Sequence, residues 1–231
     1  MENYFNDLIK KTNFKYYLIN SLNSIEKMTE TTTLSLTRDD YDQIGKALAK
    51  NSIWMVLSDA TTLTFGNSNY ATTYGELTRI GMEQMFRGYN TTGKTYVDLG
   101  SGLGKTPLYG VMDHKFKYAV GIELAKERHD QAINMKSKLP EKIKPMLDYF
   151  NNDIFKFNIS NFDFIFVSNL CFNEDTNKIL ADKIATETKD NTYIFVSKEI
   201  SHPKIKILDR RYVKMTWKSD SNIYVYIKLT N

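Results

Sequence analysis

The 231-residue chain is predicted to be an α/β protein with one seven-stranded sheet, closed by a C-terminal antiparallel hairpin and preceded by a small helical N-terminal region. Two observations lead to this prediction. From about residue 94, short runs rich in β-branched and aromatic residues alternate with helical segments, as in parallel sheets. The last two runs are separated only by a short polar turn at 219–221. A parallel crossover would need a dozen residues or more, so these two strands must form a hairpin.

The first seventy residues lack strand alternation and carry helical patterns. The clearest helix start is at 37–40, where a Thr or Asp cap precedes apolar residues at helical spacing. The predicted elements of this part are helices at about 2–23 and 41–51 and a loop at 58–69. We therefore divide the chain into an N-terminal helical region, residues 1–70, and an α/β domain, residues 71–231.

The α/β domain is predicted to begin with a helix at 76–86. Its strands follow at 94–98, 117–122, 146–150, 162–168, 191–197, 211–217 and 222–229, and its further helices at 105–113, 124–138 and 174–187. Open α/β sheets bind ligands at the carboxyl ends of the strands, near the point where the strand order reverses. We therefore expect the tips of the first and fourth strands to meet the substrate.

The composition is that of a globular protein with a substantial core, since hydrophobic residues make up 42% of the chain and aromatic residues 13%. The single cysteine, Cys171, excludes an internal disulfide and fits a reducing compartment. We find no transmembrane run, and the polar start of the chain has no signal peptide pattern. The sequence therefore predicts a protein that is neither secreted nor bound to a membrane, and it predicts no metal site.

Basic residues are concentrated between Lys198 and Lys218, where seven lysines and arginines are opposed by only two acidic residues. Such a surplus favours a polyanionic partner. A solvated strand and loop would have a similar composition, so both interpretations stay open at this point.

The most informative stretch begins where a strand-like run ends at Asp98 and breaks into a turn with Gly100, Gly102 and Gly104 at every second position. Glycine adopts backbone conformations that are closed to other residues and leaves room for a ligand. About twenty residues later, a second strand-like run ends in Glu123. An acid at the tip of the second strand of a βαβ unit is placed to hold a ribose diol. The pattern therefore predicts a pocket for a nucleoside cofactor.

The spacing of the glycines separates the cofactors that use such turns. A dinucleotide fingerprint needs a third glycine where this chain has Lys105, and a phosphate-binding loop needs one where it has Leu99. The remaining pattern, Asp-x-Gly-x-Gly-x-Gly, resembles the first motif of the S-adenosylmethionine-dependent methyltransferases of the Rossmann-like class. That class has a seven-stranded sheet with a closing hairpin, as predicted above. A turn that only lets strand and helix pack is the alternative, but it would not explain Glu123.

This resemblance implies that the cofactor is S-adenosyl-L-methionine. It also implies that Asp98 lies near the methionine end of the cofactor and that Glu123 binds the ribose. The residues of the turn that pass under the adenosine would be Gly100, Ser101, Gly102 and Gly104.

The residues after the fourth strand bear on the methyl acceptor. Methyltransferases that act on amino groups of bases or glutamine usually carry Asn or Asp, two prolines and an aromatic residue here. This chain has Asn169 and Phe172, but Leu170 and Cys171 stand between them. It therefore lacks the two prolines at the centre of that motif.

Several motifs in order resemble the disruptor-of-telomeric-silencing family of histone lysine methyltransferases, which use this fold rather than a SET domain. The resemblance covers roughly residues 70–231. It implies a nucleosome substrate, with methyl transfer to a lysine on the globular face of histone three, and hence a location in the nucleus or a host nucleus. Without it, a cytoplasmic location would be expected. The motifs that carry it are 74–77, 98–104, 167–172 and 196–198, and Trp217 followed seven residues later by Tyr224.

The family resemblance implies further roles near the cofactor. Tyr74 and Glu76 would belong to the loop that closes over its methionine part. Asp153 would meet the adenine amino group, and Asn169 would lie beside the transferring methyl. Trp217 and Tyr224 would shape the lysine channel.

Methyl transfer needs a neutral amine, and deprotonating a lysine at pH 7 costs about 4.6 kcal/mol. The sequence shows no obvious general base in the expected crevice. A narrow apolar channel beside a positive sulfonium would lower the lysine pKa instead, and Phe172, Trp217 and Tyr224 are suited to line it. The Asn169 side chain or main chain could orient the amine. Ordinary core packing is the alternative for each aromatic residue.

The sequence also departs from the family, with Lys105 where glutamine is usual and Leu77 where threonine is common. No long lysine-rich tail is present, so nucleosome binding, to histones and DNA, would fall to 198–218 or the N-terminal helices. Two other function classes stay open. One is a methyltransferase that acts on RNA, another protein or a small molecule, and the other is a non-catalytic scaffold, which would have no reason to keep the acidic residues and glycines.

Overall fold

The structure is a computed structural model that describes residues 34–50 and 75–230. These residues belong to one compact unit. The predicted helix at 2–23, the predicted loop at 58–69 and the predicted domain boundary at residue 70 lie outside the described residues. No helix in the described part is both long and apolar enough to span a bilayer.

Seven strands form a single sheet, which confirms the predicted fold class. Their order in the sheet is β3-β2-β1-β4-β5-β7-β6. The first five positions are parallel, and β7 runs antiparallel to both β5 and β6. The strands are β1 Thr95–Leu99, β2 Tyr118–Glu123, β3 Leu147–Asn151, β4 Phe164–Val167, β5 Tyr193–Val196, β6 Ile205–Val213 and β7 Ser221–Lys228.

Five α-helices are described, and those of the α/β domain fall where the alternation of the sequence predicts them. The helices are α1 Arg38–Ala49, α2 Arg79–Phe86, α3 Lys105–Asp113, α4 Lys126–Ser137 and α5 Glu174–Glu187, with a short 3-10 helix at Lys144–Met146 before β3. The order of the strands reverses between β1 and β4. A crevice therefore forms at the carboxyl ends of these two strands.

Helix α1 begins at the predicted cap. The Thr37 hydroxyl accepts from the Asp40 N–H at 3.2 Å, and the Thr37 N–H donates to the Asp40 carboxylate at 2.6 Å, which together form a capping box. Gln43 donates from Nε2 to the Lys138 carbonyl at 2.9 Å. Helix α1 is thereby attached to the end of α4.

Among the described elements, the sixth strand departs furthest from its predicted bounds. The sequence predicts it at 211–217, whereas β6 ends at Val213 and starts six residues earlier. Beyond Val213 the chain leaves β7 and pairs with the segment before α2, where Met215 bridges Leu77 and the Thr78 N–H donates to the Lys214 carbonyl at 3.2 Å. The apolar residues after Val213, which the sequence analysis assigned to the strand at 211–217, belong to this second pairing. Most side chains of β6 are exposed because it is the edge strand, so its true start carries no alternating signal.

An aromatic cluster fills one side of the sheet around Phe86, the last residue of α2. Phe86 is 3% exposed, and its ring meets five others edge-on, with centroids 5.2 to 5.7 Å apart. Edge-to-face pairs of this kind add to the free energy gained by burial alone. The five rings belong to Tyr96, His114, Phe116, Phe164 and Phe195.

We expect Phe86→Ala to reduce the free energy of unfolding by about 3–5 kcal/mol, because the substitution leaves a cavity among five rings. Ile179→Ala is the control, since Ile179 is 56% exposed on α5 and should change stability by less than about 0.5 kcal/mol. Denaturant unfolding monitored by circular dichroism measures both. Equal losses for the two variants would show that the cluster does not hold the sheet and α2 together.

Candidate functional site

A cleft of about 520 Å³ opens at the edge of the sheet where the parallel strands end. Its walls are the turn after β1, the tip of β2, the loops after β3 and β4, the first turn of α3, and the segment 75–77. The site therefore lies at the edge that the sheet topology predicts.

The structure brings most of the predicted site residues to this cleft. Gly104, Asn169 and Tyr224 are described but do not line it, and Tyr74 lies outside the described residues. The predicted residues on its wall are Glu76, Asp98, Gly100, Ser101, Gly102, Glu123, Asp153, Phe172 and Trp217.

The glycine turn has the backbone conformation that only glycine adopts easily. Gly100, Gly102 and Gly104 have φ angles of 99°, 53° and 78°. The N–H groups of Gly100 and Ser101 both donate to the Ile122 carbonyl, at 2.8 and 2.9 Å. The turn is thereby fixed to β2, next to the strand tip that carries Glu123.

Gly104 serves the packing behind the cleft. Its carbonyl accepts from the Tyr149 hydroxyl at 2.6 Å. A Cβ at this position would lie 2.5 Å from Tyr149 Cε1 and 2.8 Å from the Ala132 Cβ, so no larger residue fits. For this glycine, the structure shows the packing role of the alternative, and the contact with the cofactor stays a prediction.

Glu123 is 6% exposed, and its carboxylate faces the glycine turn. Oε2 accepts from the Gly102 N–H and Oε1 from the Ala125 N–H, both at 2.8 Å. Burial raises the pKa of Glu123, while these N–H groups and the charge of Arg128 oppose the increase. Each carboxylate oxygen has a second lone pair and can still accept from a ligand hydroxyl.

Asp98 is 3% exposed and is held by fewer groups than Glu123. The Thr106 hydroxyl donates to Oδ2, whereas Oδ1 has no hydrogen-bond partner among the described residues. Burial raises the pKa of Asp98 to about 7; the hydrogen bond from Thr106 opposes this increase and the charge of Glu123 adds to it. A cation placed in the cleft would stabilise the charged form of Asp98.

Asn169 is fully buried, and its side chain is engaged away from the cleft. Nδ2 donates to Asn177 Oδ1 at 2.7 Å and to the Lys198 carbonyl at 2.9 Å. Oδ1 accepts from the Lys198 N–H at 2.8 Å. Both amide hydrogens are used, so the side chain holds the loops after β4 and β5 together. Its position does not support the implied role of the side chain beside the transferring methyl.

Trp217 lies at the rim of the cleft, 46% exposed, in the connection between β6 and β7. Its ring covers the Gly75 backbone so closely that a Cβ on Gly75 would lie 2.0 Å from Trp217 Cζ3. The Thr216 N–H donates to the Glu76 carbonyl at 2.9 Å, and the Glu76 N–H donates to the Thr216 hydroxyl at 3.0 Å. The segment 75–78 and the connection that carries Trp217 therefore form one wall.

Tyr224 lies on β7, paired with Val196 on one side and Arg210 on the other. It is half-buried, and the Arg210 guanidinium carbon lies 5.5 Å from its ring centroid. The structure therefore does not bring Tyr224 to the same wall as Phe172 and Trp217.

The outer part of the cleft is apolar. The Phe172 ring lies 6.4 Å from the ring of Phe155, measured between centroids. Trp217 contributes a further aromatic ring. The other apolar side chains of this outer wall are Leu77, Ile154, Leu170 and Cys171.

Five polar residues of the wall were not predicted as site residues: Lys105, Thr106, Arg128, Ser168 and Thr176. Lys105 Nζ lies 2.8 Å from Glu76 Oε2, Thr106 contacts Asp98, and Arg128 lies near Glu123. Rejecting the phosphate-binding loop left Lys105 and Thr106 without a role. The signal that could have found them is their place in the first turn of the helix that follows the glycine turn.

The residues present fit S-adenosyl-L-methionine. A buried carboxylate with an unpartnered oxygen and a second buried carboxylate suit a ligand with hydroxyl donors and cationic groups. Ser101 Oγ is also buried without a partner among the described residues. The volume of the cleft is within the range of cofactor sites.

Comparisons with solved structures show the same fold in methyltransferases. An RNA methyltransferase from Salinibacter ruber in complex with S-adenosyl-L-homocysteine is 16% identical, with a TM-score of 0.52 over 65% of this chain and 91% of that one. The tRNA methyltransferase TrmK from B. subtilis is 14% identical, with a TM-score of 0.51 over 68% of each chain. The mitomycin 7-O-methyltransferase MmcR is 11% identical, with a TM-score of 0.56 over 82% of this chain and 67% of that one.

A comparison with curated proteins gives no match. The model of one protein family, described as histone methylation protein DOT1, matches residues 54–227. Those residues include every part of the described cleft. The cofactor is therefore S-adenosyl-L-methionine, as predicted, and the chain belongs to the DOT1 histone methylation protein family.

Proposed function

We propose that this methyltransferase is a histone lysine N-methyltransferase, which acts on a lysine of a nucleosomal core histone, with histone three as the implied substrate. The observation that carries the proposal is the family match over 54–227, which contains the whole described cleft. The proposed substrate places the protein in a nucleus, its own or that of a host.

In this proposal, one part of the cleft binds the cofactor and another part binds the methyl acceptor. The cofactor supplies an electrophilic methyl group on a sulfonium. Asp98 and Glu123 would hold and orient it, and Asp153, whose Oδ1 accepts from the Phe155 N–H at 2.9 Å, would meet the adenine amino group. In-line transfer depends mainly on such alignment.

The acceptor amine must reach the methyl group without its proton. Among the described residues, no histidine lines the cleft, so a histidine base is not part of the proposal. The apolar outer wall around Leu170, Phe172 and Trp217 would exclude water and disfavour a second positive charge beside the sulfonium. Both effects lower the pKa of an entering lysine, which can then lose its proton to solvent before it is enclosed.

A basic surface near the cleft would bind nucleosomal DNA. Arg211 does not belong to it, because its guanidinium donates to the carbonyls of Met85 and Arg87 at the end of α2. The other six basic residues of the segment 198–218 are exposed, and two of them flank Trp217 in the same connection. Lys204 and Lys206 lie at the start of β6, level with the start of β5 and so at the end of the sheet away from the cleft. The basic residues toward the cleft end are Lys198, Arg210, Lys214 and Lys218.

RNA is the second candidate substrate, and one observation favours it. Tyr212 is 59% exposed on the edge strand, and the Arg210 guanidinium carbon lies 5.6 Å from its ring centroid. Exposed aromatic and basic side chains together can stack on single-stranded bases. Another protein or a small molecule is supported by no comparable feature of the described residues.

The proposal predicts methyl transfer from radiolabelled S-adenosyl-L-methionine to a histone in intact nucleosomes, and not to RNA of equal charge. Trp217→Ala should reduce the rate about tenfold or more, the effect of losing 1.4 kcal/mol of transition-state stabilisation, with binding of S-adenosyl-L-homocysteine unchanged. Tyr41→Ala, which removes an aromatic side chain 47% exposed on α1, is the matched control and should leave the rate unchanged. Label on RNA alone, or a Trp217→Ala enzyme as fast as the wild type, would contradict the proposal.

The raised pKa of Asp98 predicts a pH-dependent affinity for the cofactor. Asp98 favours a cationic ligand only when ionised, and its pKa in the free protein is about 7. Binding below pH 7 must therefore remove a proton, so affinity should fall by up to about tenfold per pH unit below 7 and level off above pH 8. Calorimetric titration with S-adenosyl-L-homocysteine between pH 5.5 and 8.5 measures this.

Asp98→Asn should bind more weakly at pH 8 and lose most of the pH dependence. Asp113→Asn is the control, because Asp113 pairs with Arg79 outside the cleft and should leave the pH profile unchanged. An Asp98→Asn profile identical to the wild-type profile would show that another group titrates.

A further inference from the structure

Lys183, on α5, is a buried lysine that the proposed reaction does not use. Its side chain is only 5% exposed, and Nζ lies 2.7 Å from each carboxylate oxygen of Glu187, one turn further along the helix. Taking an ammonium out of water is costly, and the attraction in a buried ion pair often does no more than offset that cost. A gain in stability is therefore a poor explanation for a charge at this position.

The same ammonium binds the loop after β3, residues 152–157. Nζ donates to the Phe157 carbonyl at 2.7 Å and to the Phe155 carbonyl at 3.4 Å. Lys183 itself does not line the cleft, but three residues of this loop do, namely Asp153, Ile154 and Phe155. The lysine therefore connects α5 to the part of the cleft wall that would face the adenine.

The two loop residues that Lys183 binds are also bonded to Asp153. The Phe155 N–H donates to Asp153 Oδ1 at 2.9 Å, and the Phe157 N–H donates to the Asp153 carbonyl at 3.1 Å. The first bond orients the carboxylate, and the second fixes the backbone that carries it. Each residue thus bonds to Asp153 through its N–H and to Lys183 through its carbonyl. The ammonium and the Asp153 carboxylate are therefore linked by two hydrogen-bonded paths.

Helix α5 is itself held in place. Leu180 and Ile184, which flank Lys183 in the helix, are fully buried. Near the start of the helix, Asn177 Nδ2 donates to the Phe172 carbonyl at 3.1 Å, which attaches α5 to the loop after β4. Lys183 therefore extends from a fixed element and can restrain the loop that it binds.

Without the ammonium, the carbonyls of Phe155 and Phe157 would lose a charged donor. Leaving a buried carbonyl without a donor is costly, so the loop would shift, and Asp153 would shift with the two residues that bind it. We infer that Lys183 is a positioning residue for the cofactor, which holds the Asp153 carboxylate where it accepts from the adenine amino group. This inference rests on the role that the proposed function gives to Asp153.

Calorimetric binding of two ligands tests the inference. One is S-adenosyl-L-homocysteine, and the other is its analogue with purine in place of adenine, which lacks the amino group. The wild type should prefer the amino-bearing ligand about tenfold or more, the effect of one hydrogen bond to a charged group, and Asp153→Ala should abolish this preference. Lys183→Met should reduce the preference about fivefold or more, because the hydrogen bond to Asp153 weakens steeply as its distance and angle change.

Two control variants separate positioning from stability. Glu187→Gln removes the charge that pairs with Lys183 but leaves the ammonium on the loop carbonyls. It should lower the unfolding temperature and leave the preference at the wild-type value. Lys136→Met is the matched lysine control and should also leave the preference unchanged. Lys136 on α4 donates to a backbone carbonyl, that of Leu147, and lies 2.9 Å from Asp148, but it is outside the cleft.

A Lys183→Met protein that keeps the wild-type preference, or that weakens both ligands by the same factor, would overturn the inference and leave Lys183 as a structural ion-pair partner. A wild type that binds both ligands equally would overturn it as well, by removing the adenine contact of Asp153. If thermal unfolding without ligand shows that Lys183→Met does not fold, Lys183→Gln decides. Its side chain is uncharged and one atom shorter, so an unreduced preference overturns the inference. No methyl acceptor is present, so failure to methylate histones would not affect the result.

Discussion

The site depends on the burial of two carboxylates, Asp98 and Glu123, at the tips of neighbouring parallel strands. Burying a charge is costly unless hydrogen bonds or an opposite charge compensate it. The glycine turn provides part of this compensation, because its backbone lets the Gly102 N–H reach Glu123. Among the described residues, only the Thr106 hydroxyl donates to Asp98, and burial raises the pKa of Asp98 to about 7. The folded protein therefore has a buried acid whose charge is best stabilised by a cationic ligand.

The same constraint organises the rest of the cleft. With the cofactor placed at the buried acids, as proposed, the apolar residues after β4 and the ring of Trp217 form the outer wall. Trp217 is held in place because its ring covers Gly75 and its neighbour Thr216 is hydrogen-bonded to Glu76. The proposed cofactor end and the proposed acceptor end of the cleft thus share one wall, and the exposed basic residues of that connection stand beside it.

The strands of the sheet and the positions of the two acids at the strand tips could be predicted from the sequence, because both depend on local backbone geometry. The alternation of strands and helices predicts a parallel sheet, whose strand tips meet at one edge. A glycine turn after the first strand and an acid at the end of the next strand then identify Asp98 and Glu123. Side-chain direction cannot be obtained this way. Asn169 occupies the predicted loop, yet its amide turns toward Asn177 and Lys198, and Tyr224 is held by its register on β7. The start of β6 gave no signal because an edge strand needs no apolar alternation.

The most direct test of this account is a crystal structure of the protein with S-adenosyl-L-homocysteine at pH 8, where Asp98 is ionised. We predict that the ligand lies in the cleft, with its ribose hydroxyls donating to Glu123 and its amino-acid part between Asp98 and the segment that carries Glu76. A ligand bound elsewhere, or one in the cleft that leaves both buried carboxylates without contact, would contradict the claim that these two acids define the site.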